Sequence, residues 1–409
     1  MPFTYSQLLS DLHTAYYDAR KHKRNKPYQL QFEENLEGNL SVLCAELWWR
    51  TYSPRPSECF IISDPKNREI FAADFRDRIV HHLYYNYLYK WFERTFIADS
   101  YSCIVGRGTL YGIHRIEHHI RKASHDYTES CYVLKMDIRG YFMHINRRRL
   151  LETVLALLDK LQKGGKTDLS REHFDFLRYL SREIILLDPI ENCIFKGSPF
   201  DWDDLPASKS LFNSPSGCGL PIGNLTSQLF SNVYMNVFDQ WMKREMKCRH
   251  YGRYVDDFYI VSCDREWLHS LIPQIRMFLW EKLGLSLNDG KTRICNVTYG
   301  VEFLGAYLKP HRRYVSNITM RRMGKKIRQL EQTLPEAGSP RALTQREREH
   351  LRSSLSSILG LIRQHKSWHV REELIRTRLQ RFTEYGAFDE GMTKFVPYPL
   401  FILSRLTTE

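Results

Sequence analysis

No apolar run in the chain approaches the roughly 18 residues of a membrane-spanning helix. The N-terminus spaces Phe3, Leu8, Leu9, Leu12 and Tyr16 amphipathically and has no short apolar core of the kind a secretory signal needs. Nine cysteines lie scattered without one C-x-x-C pair, which argues against a disulfide framework and for reduced thiols. Cys and His never cluster at zinc-ligand spacing. His81-His82 and His118-His119 are neighbours within helical patterns, point in different directions, and are expected to be ordinary helix positions. There is no internal repeat and no low-complexity tract. These absences predict a cytoplasmic globular protein.

The sequence does have size and positive charge. At 409 residues it is long enough for two or three domains or one large enzyme body. Lys and Arg outnumber Asp and Glu by 13, a balance that favours an anionic partner, most often nucleic acid. The surplus is concentrated: from His311 to Glu409 there are 19 basic and 10 acidic residues. A solvated basic surface is the plainer alternative.

Along the chain, residues 1–50 read as helices with a basic run at Arg20–Lys26. Residues 58–63 and 69–72 read as a hairpin with a basic tip over Asp64-Pro65-Lys66-Asn67-Arg68. Ile79, Leu83, Tyr87 and Trp91 predict a helix from about Arg76 to Arg94, and another follows Gly108. Residues 131–138 read as a buried strand, and 150–187 as helix interrupted at Gly164-Gly165. Residues 188–218, rich in Pro, Gly, Ser and Asn, read as a long irregular segment of a kind that often carries function. Helix returns over 224–248, two strands flank an acidic turn over 253–262, helix follows over 267–283, two short strands over 292–308, and basic helices from about Asn317.

Two acidic sites stand in apolar surroundings. Asp137 ends the run Tyr132-Val133-Leu134-Lys135-Met136, and Asp256-Asp257 interrupts Tyr254-Val255…Phe258-Tyr259-Ile260-Val261. Ionised carboxylates beside a packed core need positive charge, and hard cations such as Mg²⁺ prefer oxygen ligands. Phosphoryl transfer with two metals uses such a group of acids. An Asp at one strand end meets Asp at a hairpin turn if the two strands are neighbours. Alone, the turn could be a plain surface hairpin.

Tyr254-Val255-Asp256-Asp257 resembles the signature turn of reverse transcriptases, and Asp137-Ile138-Arg139-Gly140-Tyr141-Phe142 resembles their first catalytic motif. The ordered motifs run from about Phe60 to Leu308. The resemblance implies catalytic Asp137, Asp256 and Asp257, with two Mg²⁺ ions held by these acids and the Ile138 carbonyl. Lys66 and Arg68, with Arg76 as a further candidate, match the positions that grip a triphosphate, although exposed turn cations are often merely solvated. Phe142 matches the bulky gate under the sugar that selects dNTPs, unless it is a core aromatic. Lys291, in Asn288-Asp289-Gly290-Lys291-Thr292, matches the lysine near the leaving pyrophosphate, unless it is only a turn residue. Phe303-Leu304-Gly305 resembles the primer grip.

Most reverse transcriptases carry Gln-Gly-x-x-x-Ser-Pro where this chain reads Ile222-Gly223-Asn224-Leu225-Thr226-Ser227-Gln228. Gly223 is expected to allow close backbone approach to a nucleotide. Ile in place of Gln and Gln228 in place of Pro resemble the reverse transcriptases of diversity-generating retroelements. Trp202, Leu205-Pro206 and Lys209-Ser210-Leu211-Phe212 resemble the insertion of that subfamily. The resemblance implies a template-repeat RNA, a cDNA/primer duplex and dNTPs as partners, errors opposite adenine, and a small basic multimeric accessory variability protein. Ile222, Gly223 and Gln228 then belong to the nucleotide-binding set.

The implied fold is α+β, a right-hand polymerase with a ferredoxin-like palm, mostly helical fingers and a helical basic thumb. Its expected segments are an N-terminal helical extension over 1–55, fingers over 56–130, palm over 131–310 with an insertion at about 150–218, and thumb over 311–409. In the thumb, Arg321-Arg322, Lys325-Lys326 and Arg328 recur at helical spacing. Open alternatives are another bacterial reverse transcriptase (phage-defence or retron-like), a non-catalytic RNA-binding scaffold, and an RNA-dependent RNA polymerase.

Overall fold

The computed structural model describes residues 3–21, 26–63, 66–335, 343–365 and 367–399. Residues 22–25 of the basic run and residues 64–65 of the hairpin tip lie outside the described residues. By packing the chain divides into two compact units. The first takes the chain up to Gly112 with Leu134–Ile260 and Asp264–Ile294; the second takes Ile113–Val133, Val261–Cys263 and the chain from Cys295 onward.

The first unit is organised around the helix Leu225–Arg244. Thirteen of its 20 residues are buried, on every side rather than along one stripe, which marks a central helix. Leu229, Phe230, Val233, Tyr234 and Phe238 supply most of that apolar surface, each contributing about 1.5–3 kcal/mol on burial. The helix Phe75–Glu93 packs against it and against the first helix, Tyr5–Arg20. Asp74 caps Phe75–Glu93 by accepting from the Arg76 N–H at 2.9 Å. Arg147–Gly164 and Arg171–Leu186 form a helical pair, and the break expected at Gly164-Gly165 is a left-handed C-cap at Gly165.

Two sheets carry the acidic residues and the basic hairpin singled out in the sequence. In one, the strand Arg68–Ala72 pairs antiparallel with Ser57–Ile62, which in turn pairs parallel with Cys193–Phe195. The segment 188–218 is therefore less irregular than its composition suggests. It holds that strand and three short 3₁₀ turns, Pro199–Trp202, Ala207–Lys209 and Leu211–Asn213. A three-residue strand is too short to show alternation in sequence. The other sheet runs in the order Tyr251–Tyr254, Asp257–Ser262, Tyr132–Asp137, Arg293–Asn296.

The second unit contains a meander, Val301–Phe303, Ala306–Lys309 and Arg312–Val315; with Arg293–Asn296 there are four strands over 293–315, where the sequence suggested two over 292–308. Helices Asn317–Gln332, Gln345–Arg363 and Trp368–Arg378 follow, with a small hairpin, Gly386–Phe388 and Phe395–Pro397, that was not foreseen. Met323, Ile327 and Leu330 face its core with Leu355 and Leu359, while Arg321, Arg322, Lys325, Lys326 and Arg328 are exposed on the same first helix. No helix among the described residues is long and apolar enough to cross a membrane.

Candidate active site

The strands ending in Asp137 and starting at Asp257 are hydrogen-bonded neighbours, so the sheet carries both acidic sites to one edge. The Ile138 N–H donates to the Asp256 carbonyl at 3.3 Å, which ties the end of one strand to the turn of the other. Burial, then the Asp257 carboxylate and then Asp137 push the Asp256 carboxyl up to about 7. Asp257 is raised by burial and by Asp137, against the pull of Lys135, Lys291 and Lys66. Three carboxylates thus repel one another across a short distance.

Asp137 is buried and accepts from Lys291 Nζ at 2.7 Å and from Asn288 Nδ2 at 3.2 Å, while its carbonyl accepts from the Asn288 N–H at 2.8 Å. Partial desolvation works against the Lys291 charge, but the bond to Asp137 and the fields of Asp257 and Asp256 hold its ammonium above the usual lysine range. Among the described residues no three His, Cys, Asp or Glu side chains are already set as a metal cage. The donor chemistry nevertheless fits a divalent cation: hard oxygens, an excess of negative charge, and a carboxyl raised by its like-charged neighbours.

The turn Tyr254-Val255-Asp256-Asp257 is a two-residue hairpin loop, with Tyr254 opposite Asp257. Val255 sits at φ +57, an outlier for a β-branched residue. Its carbonyl accepts from Arg253 Nη1 at 2.9 Å. Arg253 is 1% exposed and paired with Asp239 at 2.6 and 2.8 Å; Tyr251 Oη donates to Asp239 at 2.6 Å, and Arg253 Nη2 donates to Ser100 Oγ at 3.2 Å. This support was missed in sequence, where Arg253 is one more basic residue and Asp239 lies on a helix 14 residues upstream.

Phe142 and Ile222 come together. Both pack against the buried cluster of Cys59, Phe71, Met143 and Leu211. The Phe71 N–H donates to the Ile222 carbonyl at 2.8 Å, and Ala73 N–H donates to Asn224 Oδ1 at 3.2 Å, so the hairpin is stitched to the loop before the central helix. Gly223, at φ +133, is required by that stitch: an added Cβ would stand 2.8 Å from the Phe71 carbonyl oxygen. The glycine thus allows a close approach to the protein's own strand, while its backbone remains exposed. Gln228 is exposed.

Lys66 and Arg68 are exposed at the hairpin tip, and Lys66 is near enough to lower the Asp257 carboxyl. Arg76 is placed differently. It is buried, pairs with Glu46 and with Asp77 at 3.5 Å, and lies over the Tyr52 ring at 5.2 Å, so its guanidinium serves packing. Its position at the start of a helix, just after the capping Asp74, was the available signal. In the second unit, Phe303 is buried, and Leu304-Gly305 form a two-residue turn with φ +49 and +83.

Residues 173–308 match the family model described as reverse transcriptase (RNA-dependent DNA polymerase). Protein YkfC of Escherichia coli (strain K12) is 24% identical over 316 residues, covering 67% of this chain and 72% of that protein. Among solved structures, telomerase from Candida albicans in complex with a TWJ fragment of telomeric RNA superposes with TM-score 0.46 at 13% identity, over 88% of this chain and 60% of that one. Apo telomerase from Candida tropicalis gives TM-score 0.44 at 12% identity, over 80% and 59%. The chain spans three fifths or less of those telomerase chains. The matched stretch contains Asp256, Asp257 and Lys291, and the sheet brings Asp137 to them from outside it. Residues 173–308, a third of the chain, are thus similar to reverse transcriptases, and the fold around them mixes helix and sheet.

Proposed function

We propose that this protein is an RNA-directed DNA polymerase of the diversity-generating retroelement kind. It copies a template-repeat RNA into cDNA with errors opposite adenine. The observation that carries the polymerase reading is the convergence of Asp137 with the Asp256-Asp257 turn on adjacent strands, with Lys291 on Asp137. In this reading the hairpin belongs to the fingers, the four-stranded sheet to the palm and the C-terminal basic helices to the thumb.

Asp137, Asp256 and Asp257, with the Ile138 carbonyl, would hold two Mg²⁺ ions, which when bound supply charge neutralisation at the transferring phosphoryl group. The reaction is in-line attack of a primer 3′-hydroxyl on the α-phosphate of a dNTP. Lys291 keeps its proton and stands ready to offer it toward the leaving pyrophosphate. Lys66 and Arg68 face the triphosphate as charge-assisted donors. Phe142 excludes a 2′-hydroxyl. Ile222, apolar and fixed by its backbone to Phe71, meets the nascent base pair without a hydrogen bond and relaxes the check on its geometry. A small basic multimeric protein is the expected accessory partner.

The test is primer extension by the purified chain on an RNA template with dNTPs and Mg²⁺, with and without the neighbouring small basic protein, followed by sequencing. DNA product with substitutions concentrated opposite adenine is expected. Asp256→Asn should lower the rate by about a thousandfold or more while the circular dichroism stays unchanged. Ile222→Gln should reduce the adenine errors. Absence of DNA synthesis under both conditions would overturn the polymerase reading, and an even error spectrum would overturn the retroelement assignment.

A further inference from the structure

The strand Arg68–Ala72 alternates, and its inward face carries Glu69 and Phe71. A glutamate on an inward face is costly unless its oxygens are satisfied. Glu69 is 1% exposed, and three neutral donors meet it. Trp202 Nε1 donates to Oε1 at 2.7 Å, Ser210 Oγ to Oε1 at 2.8 Å, and the Leu211 N–H to Oε2 at 2.6 Å. All three donors come from the segment 188–218. This one carboxylate gathers two of its 3₁₀ turns, some nine residues apart in sequence, onto the hairpin.

The same residues reach the nucleotide-facing wall. Leu211 is part of the buried cluster with Phe71 and Met143, and Trp202 packs on it beside Phe142 and Ile222. Two positions along the strand from Glu69, Phe71 holds the Ile222 carbonyl at 2.8 Å. A bond to Glu69 and the wall at Ile222 are therefore linked through one short strand and one side-chain layer, with no flexible step between them.

We propose that Glu69 is a positioning residue for nucleotide selection: by clamping Trp202, Ser210 and Leu211 it fixes the packed layer that sets where Phe142 and Ile222 stand. This rests on the polymerase reading above. The clamp acts on discrimination rather than on the chemical step, because its bonds and its packing run to the layer that holds Phe142 and Ile222.

The experiment is single-nucleotide incorporation by the full chain, comparing dNTP with the matching rNTP, and correct with incorrect dNTP, opposite template adenine. Trp202→Phe keeps the ring and removes the bond to Glu69; Glu69→Gln places an amide among three donors. Lys196→Ala, which breaks the exposed pair of the same segment with Glu58 at 3.1 Å, is the control and should leave every parameter within about twofold. For Trp202→Phe, KM for the correct dNTP should rise and the dNTP/rNTP ratio should fall about tenfold, with kcat within about threefold; Glu69→Gln should move both further in the same direction. Equal loss on all nucleotides, or an unchanged ratio in Trp202→Phe, would show a merely structural clamp and overturn the proposal while leaving the polymerase reading intact. A wild-type chain that incorporates neither nucleotide overturns the polymerase reading and the clamp with it.

Discussion

Of the hairpins among the described residues that reverse direction through two residues, two meet the same backbone demand in opposite ways. Between Phe303 and Ala306, Leu304-Gly305 take φ +49 and +83, with glycine at the larger angle. The Gly305 carbonyl is held by neutral local bonds, from the Ser316 N–H at 2.9 Å and Thr319 Oγ1 at 3.3 Å. Between Tyr254 and Asp257, a valine takes φ +57 with a carboxylate on each of the next two residues. That turn is braced by a fully buried ion pair instead. The left-handed region costs a side-chain-bearing residue about 1–2 kcal/mol. Such strain persists where surrounding structure over-determines it, and it collects where side-chain direction matters. The first turn meets the demand with a glycine; the second keeps a strained valine beside its acids.

The largest break in the contrast comes from removing the brace. Arg253→Met leaves Asp239 charged, buried and without its guanidinium, and should cost about 3–5 kcal/mol in urea unfolding. Replacing both partners by apolar residues (Asp239→Leu with Arg253→Met) should return most of that stability. It should not return the DNA-synthesis rate, because the Val255 carbonyl still lacks its donor. Full recovery of rate in the double variant would mean that Arg253 holds only the core and not the turn.

The second prediction concerns charge. The Asp256 carboxyl is raised to about 7, by burial first and by Asp257 and Asp137 next. A carboxyl raised above its unfolded value near 3.9 binds its proton more tightly when folded, so its penalty is absent at low pH, grows as pH climbs from about 4, and is complete above about 7. Without divalent cation, Asp256→Asn should stabilise the protein at pH 8 by about 1–2 kcal/mol after solvent screening, with little gain at pH 4.5. A melting-temperature difference that is flat across this range would refute mutual repulsion at the turn. No such gain is expected from changing Leu304 to another apolar residue, since the two residues of that turn, Leu304 and Gly305, carry no carboxylate.

Much of this constellation was legible because charged residues in apolar runs and short-range backbone rules leave local traces. Asp137 at a strand end, Asp256-Asp257 between two alternating runs, and Lys291 after Asp289-Gly290 are visible in a few residues each, and the sheet order brings them to one edge. The hairpin, the long helices and the acidic turn fall close to where periodicity puts them. What was illegible depends on distant partners. Arg76 reads as a cation near a triphosphate loop, yet Glu46, Asp77 and Tyr52 take it into the core. Gly223 reads as room for a nucleotide, and its tight packing against the Phe71 carbonyl had no trace in the local sequence. Glu69 left a signal that was passed over: it alternates with Phe71 on an inward face, and a charged residue there asks which donors satisfy it. Arg253 and Asp239 left none, since their pairing requires a helix and a strand to be docked first.

The smallest effects give the sharpest comparison, since they exchange what each turn lacks. Gly305→Ala puts a Cβ at a positive φ and within 2.9 Å of Thr319 Oγ1, so it should destabilise by about 1–2 kcal/mol. Val255→Gly relieves a similar strain, but glycine also widens the unfolded ensemble by about 0.4–1 kcal/mol. The net gain should therefore be about 0.5–1 kcal/mol, visible as a rise in denaturant midpoint at constant slope. Activity should move the other way. With glycine at the turn, Asp256 and Asp257 sample more directions, and kcat should fall several-fold while the KM for dNTP changes little. A Val255→Gly variant that is both more stable and equally fast would mean that the strain at this turn does not aim the acids, and the difference between the two hairpins would then be one of packing alone.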